Sequence, residues 1–277
     1  MTELLFDADG LRLSGVRGGP DAGAAQVVML HGLTATRHYT VMGSRHLDRQ
    51  GIVNVAYDAR GHGRSERAAG PAAYSYAHLA DDLGHVVDAA AGADDAVVLL
   101  GISMGAHTAV RYAIDHPERV AGLVLITPAH LPGPQVGDRS AWLALATALR
   151  GPDPIDGFIT ASRLETLPES FRDQVALAIR QRLGRHEDLS AVADALEGVP
   201  ASSPFDALSD LAGIRAPTIV VGSRDEVDPS HPLAVAQTWV EQIPQARLEL
   251  EGEGKSPLAW QGGRLARFAE ELVVGSA

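Results

Sequence analysis

Five consecutive residues, Gly101-Ile102-Ser103-Met104-Gly105, constrain this chain more than any other segment. They follow an apolar run, Ala96-Val97-Val98-Leu99-Leu100, and lead into a helical pattern over Ala106 to Asp115. A serine with a glycine two places before and two places after it, set between a buried strand and a helix, predicts a sharp strand-to-helix turn. Glycine tolerates the close backbone approach of such a turn, where a side chain would clash. The turn pushes the Ser103 hydroxyl out at the carboxyl end of a sheet.

The rest of the chain supplies that sheet. Leu11 to Val16, Gln26 to Leu30, Ile52 to Tyr57 and Leu123 to Ile126 read as strands. Most are continuously apolar, without polar alternation. Tyr76 to Ala91 reads as a helix between two of them. Buried strands separated by helices imply a parallel sheet covered on both faces. In such sheets the chemistry sits beyond the carboxyl ends of the strands.

The alternation breaks after Ile126, where Pro128, Pro132, Gly133 and Pro134 mark a departure from the sheet. From about Ser140 to Glu197 the apolar residues recur at helical spacing, as in Trp142-Leu143-Leu145-Ala146-Leu149. Strand–helix alternation resumes at Thr218 to Val221, with a helix near Pro232 to Gln242, a strand at Ala246 to Leu250 and a last helix near Gln261 to Val273. The expected organisation is a core of residues 1–127 and 205–277, interrupted by a helical insertion at 128–204. An insertion placed there can act as a lid.

Composition narrows the function classes. A net charge of −12 disfavours a nucleic-acid partner and an anionic membrane surface. The chain has no cysteine, which excludes disulfides, thiolate catalysis and Cys-based zinc sites. No stretch approaches the roughly 18 apolar residues of a membrane span, and the first residues lack a signal-peptide pattern. The expectation is a soluble, cytoplasmic protein that needs no metal or organic cofactor. Whether it is a monomer or a homo-oligomer is open.

Four motifs in order carry a family resemblance: His31-Gly32-Leu33 after a strand, Arg60-Gly61-His62-Gly63-Arg64-Ser65, the segment 101–105, and Gly222-Ser223-Arg224-Asp225 with Pro229 beyond. Together they resemble the α/β-hydrolase superfamily over nearly the whole chain. The resemblance implies a mostly parallel eight-stranded sheet flanked by helices, with a helical cap. It makes Ser103 the nucleophile and Asp225 the acid that orients a base. Asp228 is the alternative acid, while Glu226 is expected to turn away. The backbone N–H groups of Leu33 and Met104 are the implied oxyanion donors. His31 and His62 are expected to hold their loops, and His107 to be packed or solvated.

One position departs from the pattern. The family's base is a histidine in the loop after the last strand, where this chain reads Glu251-Gly252-Glu253-Gly254-Lys255-Ser256-Pro257. Lys255, the only lysine in the chain, occupies the histidine position, and no histidine follows His231. A lysine titrates near 10.4 against about 6.5 for histidine, so it is a poor base unless burial neutralises it. The expectation is an atypical Ser103–Asp225–Lys255 triad, with His231 as an alternative base.

Three functions remain open at this point. The first is cleavage of a small ester, lactone or thioester. The second is a lyase, cyclase or isomerase step that uses Lys255 as a fixed cation. The third is binding of a small carbonyl ligand without turnover. The substrate-binding surface is not legible; the insertion face near Trp142 is one candidate.

Overall fold

The computed structural model describes residues 1–132, 139–167, 169–224 and 230–275. Among them, eight strands form one sheet: β1 (Thr2–Ala8), β2 (Leu11–Gly18), β3 (Val27–Leu30), β4 (Asn54–Tyr57), β5 (Val97–Ile102), β6 (Val120–Ile126), β7 (Thr218–Val221) and β8 (Ala246–Glu249). Their spatial order is β1-β2-β4-β3-β5-β6-β7-β8. The β1–β2 and β2–β4 pairs are antiparallel and every later pair is parallel. The strand β1 was not read from the sequence. Its outward residues alternate with Phe6 and Ala8, which are buried against the sheet edge.

The strands at 27–30, 54–57 and 218–221 are buried at every position, as strands covered on both faces must be. One face is packed by α2 (Tyr76–Ala91), α3 (Met104–Asp115) and α8 (Leu233–Gln242), through Leu83, Val86, Ala109 and Trp239. The other is packed by α1 (His46–Arg49) and α9 (Gly262–Gly275), through Leu47, Leu265, Phe268 and Leu272. The helix α2 has the limits expected of it. The Ser75 hydroxyl caps its start by accepting from the His78 N–H, and Gly92 at φ 114° ends it in a conformation that favours glycine.

Between β6 and β7 the chain leaves the sheet and forms α4 (Ser140–Leu149), α5 (Pro154–Ala161), α6 (Glu169–Leu183) and α7 (Leu189–Gly198). These helices share an apolar cluster of their own, which includes Leu149, Phe158, Leu183 and Leu196. Leu33, from the loop after β3, packs into that cluster. Polar ties join the two parts. Arg67 pairs with Asp194 of α7 at 2.8 Å, and Asp194 also receives Arg150 at 2.6 Å. The Tyr76 N–H donates to the Ser202 hydroxyl at 3.0 Å.

Candidate active site

Ser103 stands at the junction of β5 and α3 with φ 48° and ψ −111°, a conformation that residues other than glycine seldom adopt. The two flanking glycines are what permit it. A Cβ on Gly101 would collide with the Gly105 carbonyl, and one on Gly105 would lie 2.5 Å from the Leu30 carbonyl oxygen. The Ser103 N–H donates to the Ile126 carbonyl at 2.9 Å, and its own carbonyl accepts from the His107 N–H at 3.0 Å. The backbone is thus pinned on both sides while the side chain stays partly exposed.

The Ser103 hydroxyl is hydrogen-bonded to His231 Nε2 at 2.8 Å. His231 comes from the loop between β7 and α8, and its Nδ1 lies 3.2 Å from the Ser230 hydroxyl. The histidine that meets the serine therefore follows β7, not β8. Asp225, Glu226 and Asp228 lie outside the described residues.

Lys255 does not take the expected place. It is exposed at the end of a turn that its own N–H closes on the Gly252 carbonyl at 3.0 Å, with Gly254 at φ 70°. Among the described residues its ammonium makes no hydrogen bond or ion pair, with Ser103 or any other group. The physical reason lies in Glu251. This carboxylate is 5% exposed and accepts from the Arg224 N–H, the Ser223 hydroxyl and the Leu258 N–H. It ties the end of β7 to the loop after β8, and the loop beyond it turns outward. A strongly hydrated ammonium is more stable there in water than buried without a partner.

The N–H groups of Leu33 and Met104, the oxyanion donors implied by the resemblance, lie in the loop after β3 and directly after Ser103. Neither donates to another group among the described residues. Met104 begins α3, so its N–H is one of the unsatisfied donors of a helix N-terminus. Leu33 follows Gly32, whose α-carbon is close to Ser103: a Cβ there would sit 3.6 Å from the Ser103 Cβ.

Three other histidines hold the surrounding loops. His31 Nε2 accepts from the Ala59 N–H at 2.9 Å, which leaves its Nδ1–H to donate to the Gly32 carbonyl at 2.8 Å. His62 Nδ1 lies 2.9 Å from the Arg60 carbonyl, and burial holds its pKa well below the usual range. His107 Nε2 accepts from the Ala129 N–H at 3.0 Å and Nδ1 meets the Tyr76 hydroxyl at 2.7 Å. Burial pushes its pKa down to about 3, so it is neutral at pH 7. A fourth, His186, was not singled out from the sequence. It lies between α6 and α7, with the Gly63 N–H at 2.9 Å from Nδ1 and the Thr34 carbonyl at 3.0 Å from Nε2. Nothing in its local sequence distinguishes it from a solvated helix-end residue.

Trp142, the candidate substrate-facing residue of the insertion, is exposed on α4. Among the described residues no group of three or more His, Asp or Glu side chains could hold a metal ion. No described helix is long and apolar enough to cross a membrane.

Comparison with known proteins identifies the family and the fold. The profile of the Hydrolase_4 family, described as serine aminopeptidase, S33, matches residues 21–179. A protein of Caulobacter vibrioides named carbamate hydrolase RutD is 37% identical over 128 residues, which is 46% of this chain and 46% of that protein. The chain thus spans about half the length of that relative. A Bacillus subtilis protein named 2-succinyl-6-hydroxy-2,4-cyclohexadiene-1-carboxylate synthase is 27% identical over 88% of this chain and 87% of its own. Among solved structures, a thermophilic esterase from Thermogutta terrifontis superposes with a TM-score of 0.76 at 22% identity, covering 100% of this chain and 99% of that one.

Proposed function

The chain belongs to the Hydrolase_4 family of the α/β-hydrolase superfamily, and on that premise we propose that it cleaves a small ester, lactone or thioester through Ser103, with His231 as the general base. The observation that carries this reading is the 2.8 Å hydrogen bond between His231 Nε2 and the Ser103 hydroxyl at a strained strand-to-helix turn. A serine hydroxyl is a weak nucleophile until a base within hydrogen-bond reach takes its proton.

The reaction then runs in two halves. His231 Nε2 accepts the Ser103 proton as the oxygen attacks the substrate carbonyl carbon. The developing oxyanion is met by the N–H groups of Leu33 and Met104, which are fixed before the reaction and need no reorganisation. Removal of one such donor costs roughly 3–4 kcal/mol of transition-state stabilisation. The imidazolium returns its proton to the leaving group, giving an acyl-serine, and water repeats the sequence to release the acid. Asp225 is assigned the role of orienting His231 and stabilising its charged form, with Asp228 as the alternative. The insertion at 128–204 is assigned the role of a cap over this site. Among the proteins this chain resembles, one is named for hydrolysis of a carbamate and one is called an esterase, which supports a hydrolytic reading.

The non-hydrolytic reading required an ammonium beside the substrate. The outward position of Lys255 removes its motivation. The test separates the two bases. His231→Ala is expected to lower kcat/KM on an ester and thioester panel by about 10²–10⁴-fold, the range for loss of a general base. It is also expected to slow fluorophosphonate labelling of Ser103, whereas Lys255→Ala stays within about twofold. Turnover that survives His231→Ala and collapses in Lys255→Ala would restore the lysine to the site.

A further inference from the structure

The loop after β3 is held by a chain of hydrogen bonds that starts in the helical insertion. His186 Nδ1 accepts from the Gly63 N–H at 2.9 Å, so the ring proton resides on Nε2 and is donated to the Thr34 carbonyl at 3.0 Å. That carbonyl belongs to the same peptide unit as the Ala35 N–H, which donates to the Gly32 carbonyl at 3.0 Å. The Gly32 carbonyl in turn belongs to the same peptide unit as the Leu33 N–H. A trans peptide is planar, with its C=O and N–H pointing in opposite directions. Fixing the oxygen of each unit therefore fixes the direction of its hydrogen.

We propose that His186 is a positioning residue whose Nε2–H anchors a relay of two peptide units that ends in the Leu33 N–H and aims that donor at the substrate oxygen. The inference rests on the hydrolase reading above for the role of Leu33.

Three observations support it. Thr34 is buried at φ 65°, a conformation that must be held by its surroundings. His186 is attached on its other side to Gly63, and the Glu187 N–H donates to the Gly63 carbonyl at 3.0 Å, so the anchor is itself fixed. The Leu33 side chain packs between the apolar cluster of the insertion and the one beneath it that contains Tyr76 and Met104. The insertion thus grips residues 33 and 34 by a side chain and by a carbonyl. Hydrogen bonds in series also polarise one another, which strengthens the terminal donor. His31 Nδ1–H, on the Gly32 carbonyl, supplies a second anchor at the far end of the relay.

The test uses three variants of the full chain. His186→Gln keeps an acceptor and a donor at a separation close to that of the two ring nitrogens. His186→Glu keeps the acceptor for Gly63 but loses the donor for Thr34. His186→Ala loses both. On the ester that the wild type turns over, kcat is expected to fall about tenfold in His186→Ala and His186→Glu with KM nearly unchanged. This is less than the roughly 10²–10³-fold cost of removing an oxyanion donor outright. His186→Gln is expected to recover most of the loss. Amide hydrogen exchange at Ala35 should quicken in the Ala and Glu variants and not in Gln. Equal kcat in Gln and Glu variants, or unchanged exchange at Ala35, would overturn the relay. A wild type that neither turns over acyl substrates nor labels at Ser103 would defeat the hydrolase reading instead. The exchange measurement would then judge the relay alone, and the Glu–Gln contrast keeps that judgement open should His186→Ala fail to fold.

Discussion

The strained turn at Ser103 makes a quantitative claim about stability. At φ 48° and ψ −111°, a residue with a Cβ holds a conformation that costs about 1–3 kcal/mol. Ser103→Ala and Ser103→Gly both remove the hydroxyl, so both lose the same hydrogen bond to His231. They differ in the backbone. Alanine keeps the strain, while glycine relieves it and gives back about 0.5–1 kcal/mol through the greater freedom of its unfolded chain. Ser103 is also the N-cap of α3 without a side-chain cap bond, and glycine is a better N-cap than alanine. The glycine variant is therefore expected to be more stable than the alanine variant by about 1–2 kcal/mol. For a chain of this length that is a rise in melting temperature of about 2–3 °C. Differential scanning calorimetry of the two purified variants, with denaturant midpoints as a second measure, reads the difference directly. A glycine variant that melts with, or below, the alanine variant would show that no strain is stored at Ser103.

Other expectations follow from the same geometry. Gly105→Ala drives a Cβ to 2.5 Å from the Leu30 carbonyl oxygen and should destabilise by at least about 2 kcal/mol. Gly84→Ala, in the interior of α2 with only an ordinary 3.5 Å contact to Tyr112, should stabilise by about 0.5–1 kcal/mol in the same denaturation assay. Burial depresses the pKa of His107 to about 3 and that of His186 to about 4. Both are neutral in the fold and titrate near 6.5 when unfolded. Their contribution is complete above about pH 6.5 and is lost as the pH falls toward those folded values. Urea unfolding at pH 5 should show a stability lower than at pH 7.5 by about 2 kcal/mol for each group, and a flat profile over that interval would refute the assignment. Asp225→Asn should lower kcat/KM by at least about 10²-fold and Asp228→Asn by less than about tenfold; the reverse order would exchange their roles.

The sheet and the strand-to-helix turn at Ser103 were legible because both are local. Continuous apolar runs at 27–30, 55–57 and 97–100 leave no polar face, and two glycines bracketing a serine between a strand and a helix specify one kind of turn. The histidine that meets Ser103 was not local. The position where the family resemblance expects a histidine, after β8, holds Lys255, and sequence order alone favours that residue. The structure brings His231 to Ser103 from the preceding loop, across a gap of 128 residues in the chain. The signal available beforehand was its rank as the last histidine, on a loop that leaves the same side of the sheet. The strand β1 was missed because only one of its faces is buried, with Leu5 73% exposed on the other. His186 was missed for a deeper reason. Its two partners are backbone groups of Thr34 and Gly63, more than 120 residues away, and backbone partners leave no mark on sequence.

The outward turn that carries Lys255 has a practical side. With one lysine in the sequence, amine-directed labelling of side chains has one address. A fluorophore or a surface linker attached at Lys255 would hang from a solvent-facing bend opposite no buried partner. The hydrogen-bonded pair of Ser103 and His231 would be left untouched by a label at that bend.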